Sequence, residues 1–265
     1  MTDISNADYH ADPAVSASHL KTVMQSPYHY WSRYLDPDRV AMAPTAAMRL
    51  GSLTHCAVLE PDELTKRYQL APDRRTKEGK AAVVEMAAAG IEAVSEADLA
   101  QALQMADAVR SNSTVALLLS NGQAEQSFWW DDIATGMRCK CRPDWFDGET
   151  IVDLKTCQDA SPAGFARSIS TFLYQVQAAH YLCGTFAKRF IFVAVEKTAP
   201  YAVGVYELDA EAMVHGSVLR HNALQRIQDC RAINSYPGYT DGGIQTISLP
   251  GWALKDNTSF TSEDF

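Results

Sequence analysis

Two hydrophobic periods divide this chain: helical spacing over roughly its first half, and alternation from Glu125 onward. Leu20, Val23 and Met24 follow helical spacing behind Ser16 or Ser18 as a cap, and Ser26-Pro27 supplies a second cap with proline at the first helical position. Tyr28, Tyr30, Trp31 and Tyr34 then crowd one stretch, where core or interface packing is the more frequent use of such residues and base stacking the alternative. Residues 46–60 read as a helix with small residues that permit close approach, and His55 lies inside it. Further helices are predicted over 78–89, ending at Gly90, and over 96–110, opened by the capping-box-like Ser95-Glu96-Ala97-Asp98.

Past Glu125, Gln126, Phe128 and Trp130 alternate with Glu125, Ser127 and Trp129. After a turn at Thr135-Gly136, Met137, Cys139 and Cys141 alternate with Arg138, Lys140 and Arg142. These are expected to be antiparallel strands, with Asp144 ending the second. Asp147-Gly148 is a hairpin signal leading into the β-branched strand Thr150–Thr156. One or two helices over 161–186, strands over 189–196 and 201–208, and a long helix over 209–232 complete the pattern. The fold class predicted is α/β, a central mixed sheet flanked by helices. A single domain over 1–265 is expected, with a helical N-terminal part to about 120, a sheet core over about 121–232 and a polar tail from about Asp256.

Composition narrows the function. The chain has 265 residues, 47% of them hydrophobic, which suits a packed core, and 23 Lys plus Arg against 32 Asp plus Glu give a net charge of -9. That balance argues against a broad electrostatic coat for nucleic acid while leaving room for a local basic channel. Lys66, Arg67, Arg74, Arg75, Lys77 and Lys80 form the best local cluster, interleaved with Asp62, Glu63, Asp73 and Glu78. No apolar run approaches the roughly 18 residues of a membrane span, and Met1–His10 lacks the blocks of a signal peptide, so a cytoplasmic protein without membrane association is expected. The six cysteines are expected to be reduced thiols, and Cys139 and Cys141 to be two small side chains on one strand face rather than metal ligands.

The chemistry centres on Asp153 and Lys155. Two apart on a strand, they leave the same face, which Ile151 shares, while Val152 and Leu154 point the other way. The Asp147-Gly148 hairpin returns the chain so that Asp144 and Asp153 converge. Two carboxylates suit a hard divalent cation with room for water and phosphate. Phosphodiester hydrolysis needs both an acidified water and charge relief, and a lysine can orient or deprotonate the water or stabilise the growing charge. An Asp-x-Lys pair alone is weak evidence, because it occurs by chance in many sequences and an exposed ion pair would explain it. An aspartate directly after proline, a tight hairpin and a hydrophobic strand carrying Asp-x-Lys together form the arrangement that names the PD-(D/E)XK superfamily.

Within that superfamily the sequence resembles the nuclease domain of RecE-type exonucleases (exodeoxyribonuclease VIII). The similar stretches begin with Asp8-Tyr9-His10, Ser16-Ala17-Ser18-His19-Leu20-Lys21 and Ser26-Pro27-Tyr28-His29-Tyr30. They continue through Leu50–His55, Leu59-Glu60-Pro61, Arg74-Arg75-Thr76, Cys141-Arg142-Pro143-Asp144, Val152–Thr156 and Ser248–Trp252. The resemblance implies Asp144 and Asp153 as metal-binding acids, Lys155 as the catalytic lysine, and His55, Glu125 and the Leu154 backbone carbonyl as further metal ligands. It also implies Gln177 and Tyr181, one helical turn apart, as catalytic-site residues, and it makes Arg74, Arg75 and Lys77 candidates for gripping DNA phosphates. The activity implied is Mg²⁺-dependent digestion of linear double-stranded DNA from its 5′ ends, with Mn²⁺ able to substitute, leaving 3′ tails for recombination. A homo-oligomeric ring and a RecT-like single-strand annealing partner are implied with it. A structure-specific endonuclease, a Cas4-like nuclease and a non-catalytic DNA-end-binding protein are the alternatives on the same fold; the lack of a cysteine cluster counts against the Cas4 type.

Overall fold

The computed structural model describes residues 4–40, 42–73, 75–240, 242–251 and 253. Its helices in the first half are α1 (Asn6–Ala11), α2 (Ala17–Gln25), α3 (Pro27–Tyr34), α4 (Ala46–Leu59), α5 (Pro61–Arg67), α6 (Lys77–Ala88), α7 (Glu96–Ser111) and α8 (Ser113–Leu118). Caps set their starts: the Ser26, Thr45 and Ser95 side chains each accept an N–H from the first turn of the helix that follows. Two three-residue strands, β1 (Tyr68–Leu70) and β2 (Glu92–Val94), pair in parallel among them.

The second half holds β3 (Gln123–Ala124), β4 (Phe128–Asp131), β5 (Arg138–Cys141), β6 (Trp145–Phe146), β7 (Thr150–Cys157), α9 (Pro162–Phe172), α10 (Tyr174–Thr185), β8 (Arg189–Glu196), β9 (Val203–Glu207) and α11 (Ala210–Ile233). The central sheet runs β3-β6-β7-β8-β9, with β7 and β8 parallel and the other pairs antiparallel. The helical connection through α9 and α10 is what permits that parallel pair.

Alternation along β7 sorts its side chains into two cores. Val152 and Leu154 pack with Val193 and Val195 against Leu53 of α4 and Met105 of α7. Ile151 lies on the other face with Phe190, Phe192, Phe165 of α9 and Ala178 of α10. A third cluster joins Leu20 and Val23 of α2, Cys139 of β5, Val176 of α10 and Leu224 of α11. Asp153 and Lys155 are thereby assigned to the face of Ile151, as the sequence predicted, and it is α9 and α10 that cover this face.

Two expectations need correction. β4 and β5 pair antiparallel but form their own two-stranded sheet, and Glu125–Ser127 lie outside β4 because Glu125 takes a positive φ of 54°. Asp144 does not end β5; it stands between β5 and the short β6, which is the strand that pairs with β7. Lys140, which alternates with the buried Cys139 and Cys141, is itself only 2% exposed because its ammonium donates to the carbonyls of Tyr9 and Asp12 at the end of α1. All six cysteines are free, and Cys139 and Cys141 are buried. No described helix is long and apolar enough to cross a membrane.

Candidate active site

The site occupies an edge that β6 leaves open. β7 pairs with β8 along all eight of its residues, but on its other side β6 covers only Ile151 and Val152. Asp144, one residue before β6, takes the vacated place: its Oδ2 accepts the Leu154 N–H at 2.8 Å. The N–H and C=O of one strand residue point to the same edge, so the Leu154 carbonyl faces this opening too. His55, carried on α4, sets Nδ1 3.4 Å from the same Asp144 oxygen.

Asp153 is fully buried. Its Oδ2 is paired with the Lys155 ammonium, and its Oδ1 accepts from Gln177 Nε2 at 2.7 Å. Burial raises the Asp153 carboxyl above the usual carboxylate range; Lys155 opposes that shift, and the nearby Asp144 adds to it. For Lys155 burial disfavours the charge, but Asp153 and Asp144 outweigh it and hold the ammonium above the ordinary lysine value. Tyr174, the first residue of α10, brings its ring centroid to 4.9 Å from Lys155 Nζ. Tyr181 follows Gln177 by one turn and packs edge-on against Phe190 with centroids 6.0 Å apart; burial keeps its hydroxyl neutral.

Beside this centre opens a cleft of about 950 Å³ lined by His55, Glu125, Arg142, Glu60, Arg67 and Tyr68, among others. Burial, then the charges of Asp144 and Glu60, push the Glu125 carboxyl up to about 8. Arg142 is fixed at the rim by Ser127, Asn6 and the Ile4 carbonyl, with its guanidinium 4.2 Å from the Tyr9 ring centroid.

The donor set fits a hard divalent cation: three crowded carboxylates at Asp144, Asp153 and Glu125, an imidazole at His55, and a carbonyl aimed at the open edge. Asp153 Oδ2 is a buried oxygen without a hydrogen bond, facing Lys155 only as an ion pair. The side chains as they stand do not close into a group of three His, Cys, Asp or Glu donors among the described residues. Asp153 is turned to Lys155 and Gln177, whereas Asp144 is turned to Leu154 and His55.

Of the basic cluster, Arg67 lines this cleft, while Arg75 does not. Arg75 is bound to Asp73, Lys66 to Glu63 and Arg67 to Glu60, so much of the cluster's charge is spent internally. Arg75 lines a different cavity, of about 800 Å³, with Arg49 and Asp98, and Lys77 is exposed at the start of α6. Arg74 lies outside the described residues. Lys21, Tyr174 and Arg142 carry no role in the sequence reading: Lys21 and Arg142 fall in stretches similar to the family but without an assigned task, and Tyr174 lies in no such stretch.

Comparison with known proteins adds the following. The family described as a PDDEXK-like domain of unknown function (DUF3799) matches residues 16–248. A Eubacterium rectale protein described as a "putative exonuclease" superposes with a TM-score of 0.66 at 13% identity, over 97% of this chain and 100% of that one. SSO0001 superposes with a TM-score of 0.30 at 15% identity, over 67% of this chain and 86% of that one. No curated protein matches in sequence.

Proposed function

This chain belongs to the PDDEXK-like DUF3799 family, and from that premise we propose that it is a metal-dependent exonuclease acting on linear double-stranded DNA. The observation that carries the reading is the convergence of Asp144, Asp153, Lys155 and His55 at the one edge of β7 that β6 leaves uncovered. The cation would be held by Asp144, Asp153 and the Leu154 carbonyl, with His55 and Glu125 beside them, and Mg²⁺ suits such oxygen donors. When bound, such an ion supplies a water acidified toward neutral pH and relief of charge on the phosphate.

The protein's own groups have distinct tasks. Lys155, held protonated by its two neighbouring carboxylates, offers donors to the charge that grows on the phosphate and is poorly suited to act as a base. Gln177 fixes Asp153 through Oδ1. The Leu154 N–H fixes Asp144 through Oδ2. Each carboxylate is thus held through one oxygen by a neutral N–H donor, Asp153 also meeting the Lys155 ammonium through its other oxygen, and is pre-oriented at little further entropic cost.

Exonuclease action on DNA ends is supported by the resemblance to RecE-type enzymes and by the fold shared with the Eubacterium rectale protein. The same resemblance supports 5′ to 3′ travel, 3′ tails for strand annealing and a homo-oligomeric ring, in which few basic residues are concentrated on an inner wall. The test is digestion of linear duplex labelled at either the 5′ or the 3′ ends, with Mg²⁺ and with chelator. Metal-dependent early loss of 5′ label, with 3′ label retained on long single strands, is expected. Rapid cutting of covalently closed circles would replace the reading with an endonuclease, and binding of ends without nucleotide release would replace it with a non-catalytic protein.

A further inference from the structure

Lys21, the last residue of the stretch Ser16–Lys21, is a cation at this site to which the family resemblance gives no role. It leaves α2 on the side facing α10, half-buried, and sets Nζ 5.1 Å from the Tyr174 ring centroid and 3.5 Å from Gln177 Oε1. Lys155 approaches the same ring to 4.9 Å. Two ammonium groups therefore share one aromatic ring, and only one of them has a carboxylate: Lys155 is paired with Asp153, while no ion pair joins Lys21 to an acid among the described residues.

An ammonium has three donors and no acceptor. Lys21 uses one, in a long bond to a neutral carboxamide, and no other hydrogen bond of its ammonium is formed among the described residues. Burial, and after it the charge of Lys155, push its pKa down to about 8, against the opposing charge of Asp153. A structural lysine is normally satisfied by carbonyls or an acid, as Lys140 is by Tyr9 and Asp12. Lys21 instead stands next to the lysine proposed to face the scissile phosphate.

We propose that Lys21 is a substrate-contacting residue of the site, its ammonium binding a phosphate oxygen of the DNA strand presented to Lys155 and Asp153. This assignment rests on the nuclease reading. It adds a phosphate clamp contributed by α2 to the lysine of β7, both ammonium groups lying close to the Tyr174 ring. A lysine holds a phosphate as a point charge, without the fork geometry of arginine, which suits a strand that must advance after each cut.

The experiment measures equilibrium binding of a labelled duplex by fluorescence anisotropy in chelator, across a range of salt, for the wild type, Lys21→Met and Lys21→Arg. Loss of one phosphate contact lowers the slope of log affinity against log salt by roughly 0.7 to 0.9. Lys21→Met is expected to show that decrease and Lys21→Arg to retain the wild-type slope. Circular dichroism verifies the fold, and Lys21→Gln takes the place of Lys21→Met should that variant not fold. An unchanged slope in the neutral variant overturns the assignment, including the case where cleavage slows, since that result reduces Lys21 to a positioning role through Gln177. A wild type that shows no metal-dependent cleavage of DNA overturns the nuclease reading itself, and this arm is scored separately on the unmodified protein.

Discussion

Gln177 donates from Nε2 to Asp153 Oδ1 at 2.7 Å, and it is the neutral hydrogen bond that holds the buried carboxylate of the site. Leaving a buried charged acceptor short of a donor costs about 1–3 kcal/mol or more. Gln177→Ala is expected to lower unfolding free energy by that amount and to slow DNA cleavage. Gln177→Glu sets a second carboxylate against Asp153 and is expected to be worse on both counts. Chemical denaturation and a cleavage time course check this; a Gln177→Glu protein as stable and active as wild type would contradict the assigned contact.

Much of this arrangement was legible in the sequence because the signals were local. The Asp147-Gly148 turn, with Gly148 at φ 99°, and the β-branched run after it fix β7 and the face shared by Asp153 and Lys155. The partner of β7 was not legible: β6 is two residues long, too short for any period, and the longer β5 looked the better candidate. The break between α9 and α10 falls at Leu173 with a φ of 53°, where neither glycine nor proline announces it. Lys140 defeats the alternation rule because distant carbonyls satisfy its charge, and Lys21 reaches the site only through the packing of α2 on α10. His55 and Glu125 entered through family resemblance, and the structure sets both in the cleft beside Asp144.

His180 gives stability a dependence on pH. It is fully buried beside Trp130, with ring centroids 4.7 Å apart, and burial, then Arg220, lower its pKa from 6.5 to about 3. Between those values the unfolded chain binds a proton that the folded chain refuses, so this contribution falls as pH drops below the unfolded value. The slope is about 1.4 kcal/mol per pH unit. Urea unfolding at about pH 7.5 and about pH 5.5 is expected to show wild type losing roughly 1 kcal/mol more than His180→Gln, which cannot take up the proton. Equal losses in the two proteins would rule out His180 as the titrating group.

Gly216 sets the separation of α10 and α11. A methyl group there would lie 2.3 Å from the Gln175 carbonyl oxygen, a main-chain atom that can move only with its helix. Gly216→Ala is therefore expected to cost about 1–3 kcal/mol as overpacking. Since Gln177 follows two residues after Gln175, cleavage is expected to slow as well. Gly238→Ala, where a methyl group meets nothing within 4 Å, is the matched control and should leave both unchanged. Thermal melting of the two variants separates packing from a general intolerance of alanine.

Asp144 and Asp153 are both proposed to hold metal, yet they should behave differently when removed. The Asp144 side chain is 16% exposed and accepts one backbone N–H, whereas that of Asp153 is 1% exposed and faces a Lys155 side chain only 15% exposed. Removing one partner of a buried pair leaves the other charge uncompensated, at about 3–5 kcal/mol. Asp153→Ala is thus expected to lose stability as well as cleavage, and Asp144→Ala to lose cleavage with a cost nearer about 1 kcal/mol, the worth of its hydrogen bond. The double variant Asp153→Leu/Lys155→Met removes both charges together and is expected to regain most of the lost stability while remaining inactive. Denaturation midpoints for the single and double variants give the coupling energy directly. Additive losses would show that Lys155 is neutralised by something other than Asp153, and the electrostatic basis for treating it as a permanently charged phosphate donor would go with them.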